Sequence, residues 1–217
     1  MSARVPVIWL YDVISPFAYL ALPRLTELPA SVELTTRPVL FAGLLDHFGQ
    51  RGPAEIASKR RFTYRFALWR ARRLSLPMRF PPAHPFNPLG ALRLIIAAGS
   101  DLRSARTLLE AVFRDGRDVS DPRVLAELGV QLGVPDVQEK ISSPAIKAQL
   151  RENTQWAASR GIFGVPTLVI GPEPFWGHDA LDMALDYLKD PQGFEDAQMR
   201  AADTLPVGAA RSVKSAG

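Results

Sequence analysis

The chain of 217 residues contains no cysteine. That excludes disulfides, thiolate metal sites and any Cys-x-x-Cys redox cycle of its own. No stretch reaches the roughly 18 apolar residues that a membrane-spanning helix needs, so no membrane partner is expected. Met1 to Tyr11 lacks a basic n-region and a small-residue cleavage site, and reads as a first strand rather than a signal peptide; a cytoplasmic protein is expected. Histidine is scarce. The three present, His47, His84 and His178, show no metal-ligand spacing, and no metal is expected. Acid is missing from one long stretch: between Ile56 and Ser100 there are nine basic residues and no Asp or Glu. Taking those nine from the net charge of +4 leaves the rest of the chain at −5. Phe62, Phe66 and Trp69 are interleaved with them at helical spacing. That pattern suits a solvated helix face, or a field steering small anions, ahead of a nucleic-acid surface.

What is present is ordinary for a globular protein: 47% apolar and 22% charged residues, enough chain for one large domain or a small domain with an insertion. The organising stretch is Gly161-Ile-Phe-Gly-Val-Pro-Thr-Leu-Val-Ile170. It ends a helical region, places a proline before an apolar β-type run, and leads into Phe175-Trp176-Gly177-His178-Asp179. Val165-Pro166 is a candidate cis peptide bond, although only about 5–6% of X-Pro bonds are cis. A second segment strengthens the reading: Tyr11-Asp-Val-Ile-Ser-Pro-Phe17, where a strand runs into a helix at Ser15-Pro16. A hydroxyl at a strand–helix turn, facing a Val-Pro-Thr loop, is the layout of a thioredoxin-type site with serine in place of the first cysteine.

In chain order, Val5 to Asp12 is nearly all apolar, as for a strand buried on both faces. Ser15 as N-cap with Pro16 at the first position starts a helix expected to run to about Leu28, kinked at Pro23. Glu33 to Leu40 makes a second, parallel strand. Phe41 to Pro53 reads as loop with an amphipathic turn. A long helix from Ala54 to about Leu74 carries Phe62, Phe66 and Trp69 as one stripe, with Lys59 beside it. The proline-rich run 77–88 is an extended linker. Five helices follow, capped at Ser100, Ser120 and Ser143, then strands Thr167–Ile170 and Glu173–Trp176, and a last helix started by Asp179. The expectation is an α/β protein: a thioredoxin-like fold interrupted by an all-α helical insertion domain. Its parts are residues 1–45 and 156–192, with the insertion at 46–155 and a flexible tail at 193–217.

Tyr11-Asp-Val-Ile-Ser-Pro-Phe-Ala-Tyr-Leu-Ala21, Ala83-His-Pro-Phe-Asn-Pro88, Gly161-Ile-Phe-Gly-Val-Pro-Thr167 and Phe175-Trp-Gly-His-Asp-Ala-Leu181 resemble the 2-hydroxychromene-2-carboxylate isomerases. These are relatives of the kappa-class glutathione transferases in the DsbA-like thioredoxin superfamily. The resemblance implies glutathione as a cofactor, an aromatic carboxylate as substrate, a role in naphthalene-like aromatic catabolism, and a homodimer. Reaction by that route is addition of the glutathione thiolate to a conjugated double bond, rotation, and loss of the thiolate.

By the same resemblance Ser15 is catalytic, its hydroxyl holding the sulfur as thiolate. Lowering a thiol by two pKa units from about 8.5 requires about 2.7 kcal/mol. A hydrogen bond to a charged group supplies about 1.5–3 kcal/mol, and a helix N-terminus about 0.3–1. The competing role is capping of the first helix. Val165, before Pro166, would pair its backbone with the cysteinyl part of glutathione. His178 and Asp179 would take the γ-glutamyl end, with helix capping the alternative for Asp179. Gln50, Lys59 and Trp176 complete the implied glutathione set, Gln50 standing where the family has asparagine. Phe17 and Asn87 are implied on the substrate side, with turn formation the alternative for Asn87.

Overall fold

The computed structural model describes residues 4–209. Strand β1 (Val5–Tyr11) is followed by helix α1 (Pro16–Ala21), a 3-10 turn (Arg24–Glu27) and strand β2 (Val32–Pro38). Helices α2 (Phe41–His47), α3 (Ala57–Arg73), α4 (Leu89–Ala97), α5 (Leu102–Phe113), α6 (Pro122–Leu132), α7 (Val137–Ser142) and α8 (Pro144–Ser159) come next. Strands β3 (Thr167–Ile170) and β4 (Glu173–Trp176) and helices α9 (Leu181–Lys189) and α10 (Ala197–Asp203) complete the described chain. The strands form one mixed sheet in the order β2-β1-β3-β4. β1 pairs parallel with β2 and antiparallel with β3, and β3 pairs antiparallel with β4. No helix among the described residues is long and apolar enough to cross a membrane.

The unbroken apolar run of β1 is explained by burial on both faces. Val7, Trp9 and Tyr11 join the larger core with α1, α4 and α5, while Leu10 joins Val39, Leu44, Ala157 and Val169 on the other side. The two ends of the chain therefore meet in one sheet, and the helices between them close over it.

Several local expectations need correction. The first helix ends at Ala21 instead of running kinked to Leu28, and Pro23 starts the separate 3-10 turn. Proline has no N–H to give the Tyr19 carbonyl and its ring crowds that oxygen; Leu22 N–H bonds Tyr19 O instead, at 3.2 Å. Residues read as loop after Phe41 form α2. The long helix starts three residues late, at Ala57, after a 3-10 turn at Pro53–Glu55. The caps expected at Ser100 and Ser120 fall on Asp101 and Asp121, whose carboxylates accept the Ser104 and Arg123 N–H groups. Ser143 precedes α8 without a capping side-chain bond. Part of the expected tail is helical: Asp196 caps α10 through the Gln198 and Met199 N–H groups. Residues 210–217 of that tail lie outside the described residues.

The aromatic stripe of α3 is the largest surprise. The helix buries Ala67 and Ala71, whereas Phe62 is 69% and Trp69 51% exposed. Small residues let α3 lie close against α1, and the aromatic rings are left on the side that borders the site.

Candidate active site

Ser15 sits at the head of α1, 7% exposed. Its Oγ accepts the Ala18 N–H at 3.4 Å and donates to the Val165 carbonyl at 3.3 Å, joining residues 150 apart. Val165-Pro166 is a cis peptide bond. Capping uses the oxygen and the Val165 contact uses the proton, so the two roles do not compete. Both bonds are near the outer limit for hydroxyl hydrogen bonds. A stronger acceptor placed at the hydroxyl can therefore take the proton.

The turn bearing Ser15 is held on both sides of Ile14. The Asp12 carboxylate, completely buried, accepts the Ile14 N–H at 3.0 Å and the Phe41 N–H at 2.8 Å. Burial pushes this carboxyl up to about 7, against the lowering effect of those two bonds. On the other side His84 Nε2 lies 2.7 Å from the Ile14 carbonyl. A carbonyl only accepts, so Nε2 carries the proton and Nδ1 is the acceptor facing Tyr64, whose hydroxyl lies 2.7 Å from both Nδ1 and the His84 carbonyl. Burial holds His84 below its ordinary pKa, partly offset by the bond to Ile14, so the ring is neutral near pH 7. The proline-rich linker thus buttresses the turn before Ser15.

These supports make a prediction. His84→Phe keeps a ring among Phe80, Phe86 and Phe113 but strands the Ile14 carbonyl. Stability is expected to drop by about 1–3 kcal/mol, and turnover by less than on loss of the Ser15 hydroxyl. Chemical denaturation beside steady-state kinetics tests this; unchanged stability would remove the buttress.

A cleft of about 220 Å³ opens beside the cis bond, with Phe17 and Phe66 on the helical side and Val165, Pro166, Trp176, Gly177, His178 and Asp179 opposite. Trp176 is 55% exposed and meets Phe163 edge-on at 4.9 Å. A β-carbon at Gly164 would stand 2.4 Å from the indole nitrogen, so glycine lets the indole lie against the loop. His178, 4% exposed, stacks on Phe17 with ring centroids 5.2 Å apart and receives the Arg70 Nε–H at Nε2, 3.1 Å away. Its pKa is lowered, first by burial, with Arg70 and Arg24 also lowering it and Asp179 raising it. Asp179 does not start the last helix: α9 begins at Leu181 with Ala180 as N-cap and no side-chain capping bond. The carboxylate instead folds back over Gly177, whose φ of 106° and missing side chain leave room for it at 2.6 Å from where a β-carbon would be.

The structure thus brings together Ser15, Phe17, Val165, Pro166, Trp176, His178 and Asp179. It does not bring the other three to this cleft. Lys59 is exposed in the first turn of α3, and Gln50 is exposed with its N–H bonded to Leu45 O at 2.9 Å. Asn87 Oδ1 accepts the Leu89 N–H at 3.0 Å, the turn-forming role. Three supporting residues escape sequence reasoning. Asp12 carries a signal, a charge ending an apolar strand; His84 shows only the lack of metal-ligand spacing; Arg70 is one of nine cations with nothing to single it out.

Residues 7–189 match the model of the DsbA-like thioredoxin domain, and the chain belongs to that family. Glutathione S-transferase kappa 2 of Caenorhabditis elegans is 28% identical over 213 residues, covering 88% of this chain and 95% of that protein. A 2-hydroxychromene-2-carboxylate isomerase of Sphingobium xenophagum is 29% identical over 191 residues, covering 83% and 96%. The solved structure of a 2-hydroxychromene-2-carboxylate isomerase superposes with a TM-score of 0.74 at 25% identity, covering 89% of this chain and 98% of that one. The relatives thus include a kappa-class glutathione transferase and 2-hydroxychromene-2-carboxylate isomerases.

Proposed function

We propose that the protein is a glutathione-dependent isomerase acting on an aromatic carboxylate of the 2-hydroxychromene-2-carboxylate type. The observation that carries this is the Ser15 hydroxyl set against the Val165 carbonyl, in a chain with no cysteine. A hydroxyl there can bind and orient a sulfur without exchanging disulfides.

The donor set fits glutathione. Among the described residues no group bonds the Val165 N–H, leaving it and the second lone pair of the carbonyl for the extended backbone of a peptide. Asp179, free of capping, presents a carboxylate to an ammonium, and His178 a ring N–H to a carboxylate. Ser15 would hold the sulfur. Phe17 and Phe66 give a planar substrate an apolar wall and exclude water from it. Bound there, glutathione would supply a nucleophilic thiolate; the chain's part is to lower its proton affinity and fix its direction.

Interconversion of 2-hydroxychromene-2-carboxylate and its ring-opened isomer, followed by absorbance with and without glutathione, tests the reading. A rate that requires glutathione is expected; no rate with or without it would defeat the isomerase. The kappa-class relative favours a second reading, a transferase using the same residues on another electrophile. Consumption of glutathione during turnover separates the two. Glutathione binding without turnover on either substrate class would mark a binding module.

A further inference from the structure

The partner of His178 fixes its chemistry. Arg70 Nε lies 3.1 Å from His178 Nε2, across 108 residues of sequence. A guanidinium has donors and no acceptor, so Nε2 must present its lone pair and the imidazole proton is left on Nδ1. The ring is held in that orientation. It is 4% exposed, stacks on Phe17 with 16° between planes, and meets Phe66, one turn before Arg70 on α3, edge-on at 6.4 Å. On its other side Nδ1 is 3.8 Å from Asp179 Oδ1, beyond hydrogen-bond reach. Among the described residues the Nδ1–H therefore has no acceptor, although the residue lines the cleft. A donor without a protein acceptor, on a residue that lines the cleft beside a free carboxylate, is a matched pair for a group bearing both an anion and a cation.

We infer that Arg70 is a positioning residue: it fixes His178 as the neutral Nδ1–H imidazole, making that N–H a preset donor to the carboxylate of a zwitterionic amino-acid group whose ammonium goes to Asp179. The identity of the ligand, the γ-glutamyl end of glutathione, rests on the function proposed above; the tautomer does not. The charges facing the ring are Arg70 from α3, Arg24 from the 3-10 turn after α1, and Asp179 beside it. Arg24 is itself paired with Glu27 and with Asp182 of α9. Arg70 is thus the cation in direct contact, and it sets which nitrogen is bare.

Nitrogen NMR on the ligand-free protein reads the tautomer directly. The expected parent signal is a protonated Nδ1 and a bare Nε2, persisting below the ordinary histidine pKa of about 6.5 because burial lowers that of His178. In Arg70→Gln, whose amide can accept as well as donate, Nε2 need no longer be bare; a share of the proton is expected to move to Nε2 and glutathione to bind about tenfold more weakly. Arg70→Lys, which can only donate, should keep the parent tautomer and most of the affinity; a purely structural role would not follow that sign rule. In a His178→Asn background, where no tautomer exists, Arg70→Gln should change affinity no further. A parent with the proton on Nε2, or an Arg70→Gln variant with unchanged tautomer and affinity, overturns the inference. If the parent does not bind glutathione, the ligand assignment fails while the tautomer measurement still decides what Arg70 does.

Discussion

Replacing Ser15 with alanine is expected to lower glutathione-dependent turnover about 10- to 150-fold near pH 7. That range is the contribution of about 1.5–3 kcal/mol from one hydrogen bond to a charged acceptor, converted at about 1.36 kcal/mol per tenfold. The hydroxyl is available for it, because its bonds to Ala18 and Val165 are 3.4 and 3.3 Å long and weak. If the hydroxyl acts by favouring the thiolate, the deficit must shrink as pH rises past the free thiol pKa of about 8.5, where the sulfur ionises unaided. Losing the cap costs stability too, toward the lower end of about 0.5–2 kcal/mol because the Ala18 bond is long. Parent and variant profiles of kcat/KM against pH that coincide would leave Ser15 as a cap alone, and a deficit that stays constant with pH would remove its thiolate-favouring role.

The second large effect is on stability. Unfolding free energy is expected to fall as pH rises from about 4 to about 7, with Asp12 responsible. Its carboxyl is completely buried and pushed up from the ordinary 3.8 to about 7. Below 3.8 it is protonated in native and unfolded chains alike, and costs nothing extra. Through the window between those values the native state binds more protons than the unfolded one, so stability declines with pH. Above 7 the native protein carries a buried charge and the loss levels off at about 4 kcal/mol, at about 1.36 kcal/mol per pKa unit. Asp12→Asn cannot ionise and should flatten this part of the curve. It should also be less stable at low pH by about 1–3 kcal/mol, because its amide nitrogen cannot accept one of the Ile14 and Phe41 N–H groups. Urea unfolding of both proteins across the window gives the difference directly. Curves with the same slope would show that Asp12 is not the titrating group.

The two predictions meet at the turn from Tyr11 to Ser15. Asp12 and His84 fix the N–H and the carbonyl of Ile14, so the Ser15 hydroxyl is aimed by groups that need not touch a ligand.

The sequence by itself determined what depends on near neighbours. An unbroken apolar run gave β1 its burial on both faces, Ser15-Pro16 gave a helix start, and β3 and β4 fell on the apolar run after Pro166 and the short run after Gly171-Pro172. These are set by backbone geometry within a few residues and by the period of apolar side chains. Pro23 was legible as a defect, but whether it kinks or ends a helix depends on what packs beyond it. Tertiary structure alone decided the rest. Which face of α3 is buried turned on Ala67 and Ala71 fitting closely, against the larger hydrophobicity of Phe62 and Trp69. That the Asp179 carboxylate stays off the helix end turned on the path of the chain at Gly177. The Ser15–Val165 and Arg70–His178 contacts span 150 and 108 residues. No local propensity encodes such pairs: a hydrogen bond between side chains requires a fit of a few tenths of an ångström, and only the packed sheet and helices supply it.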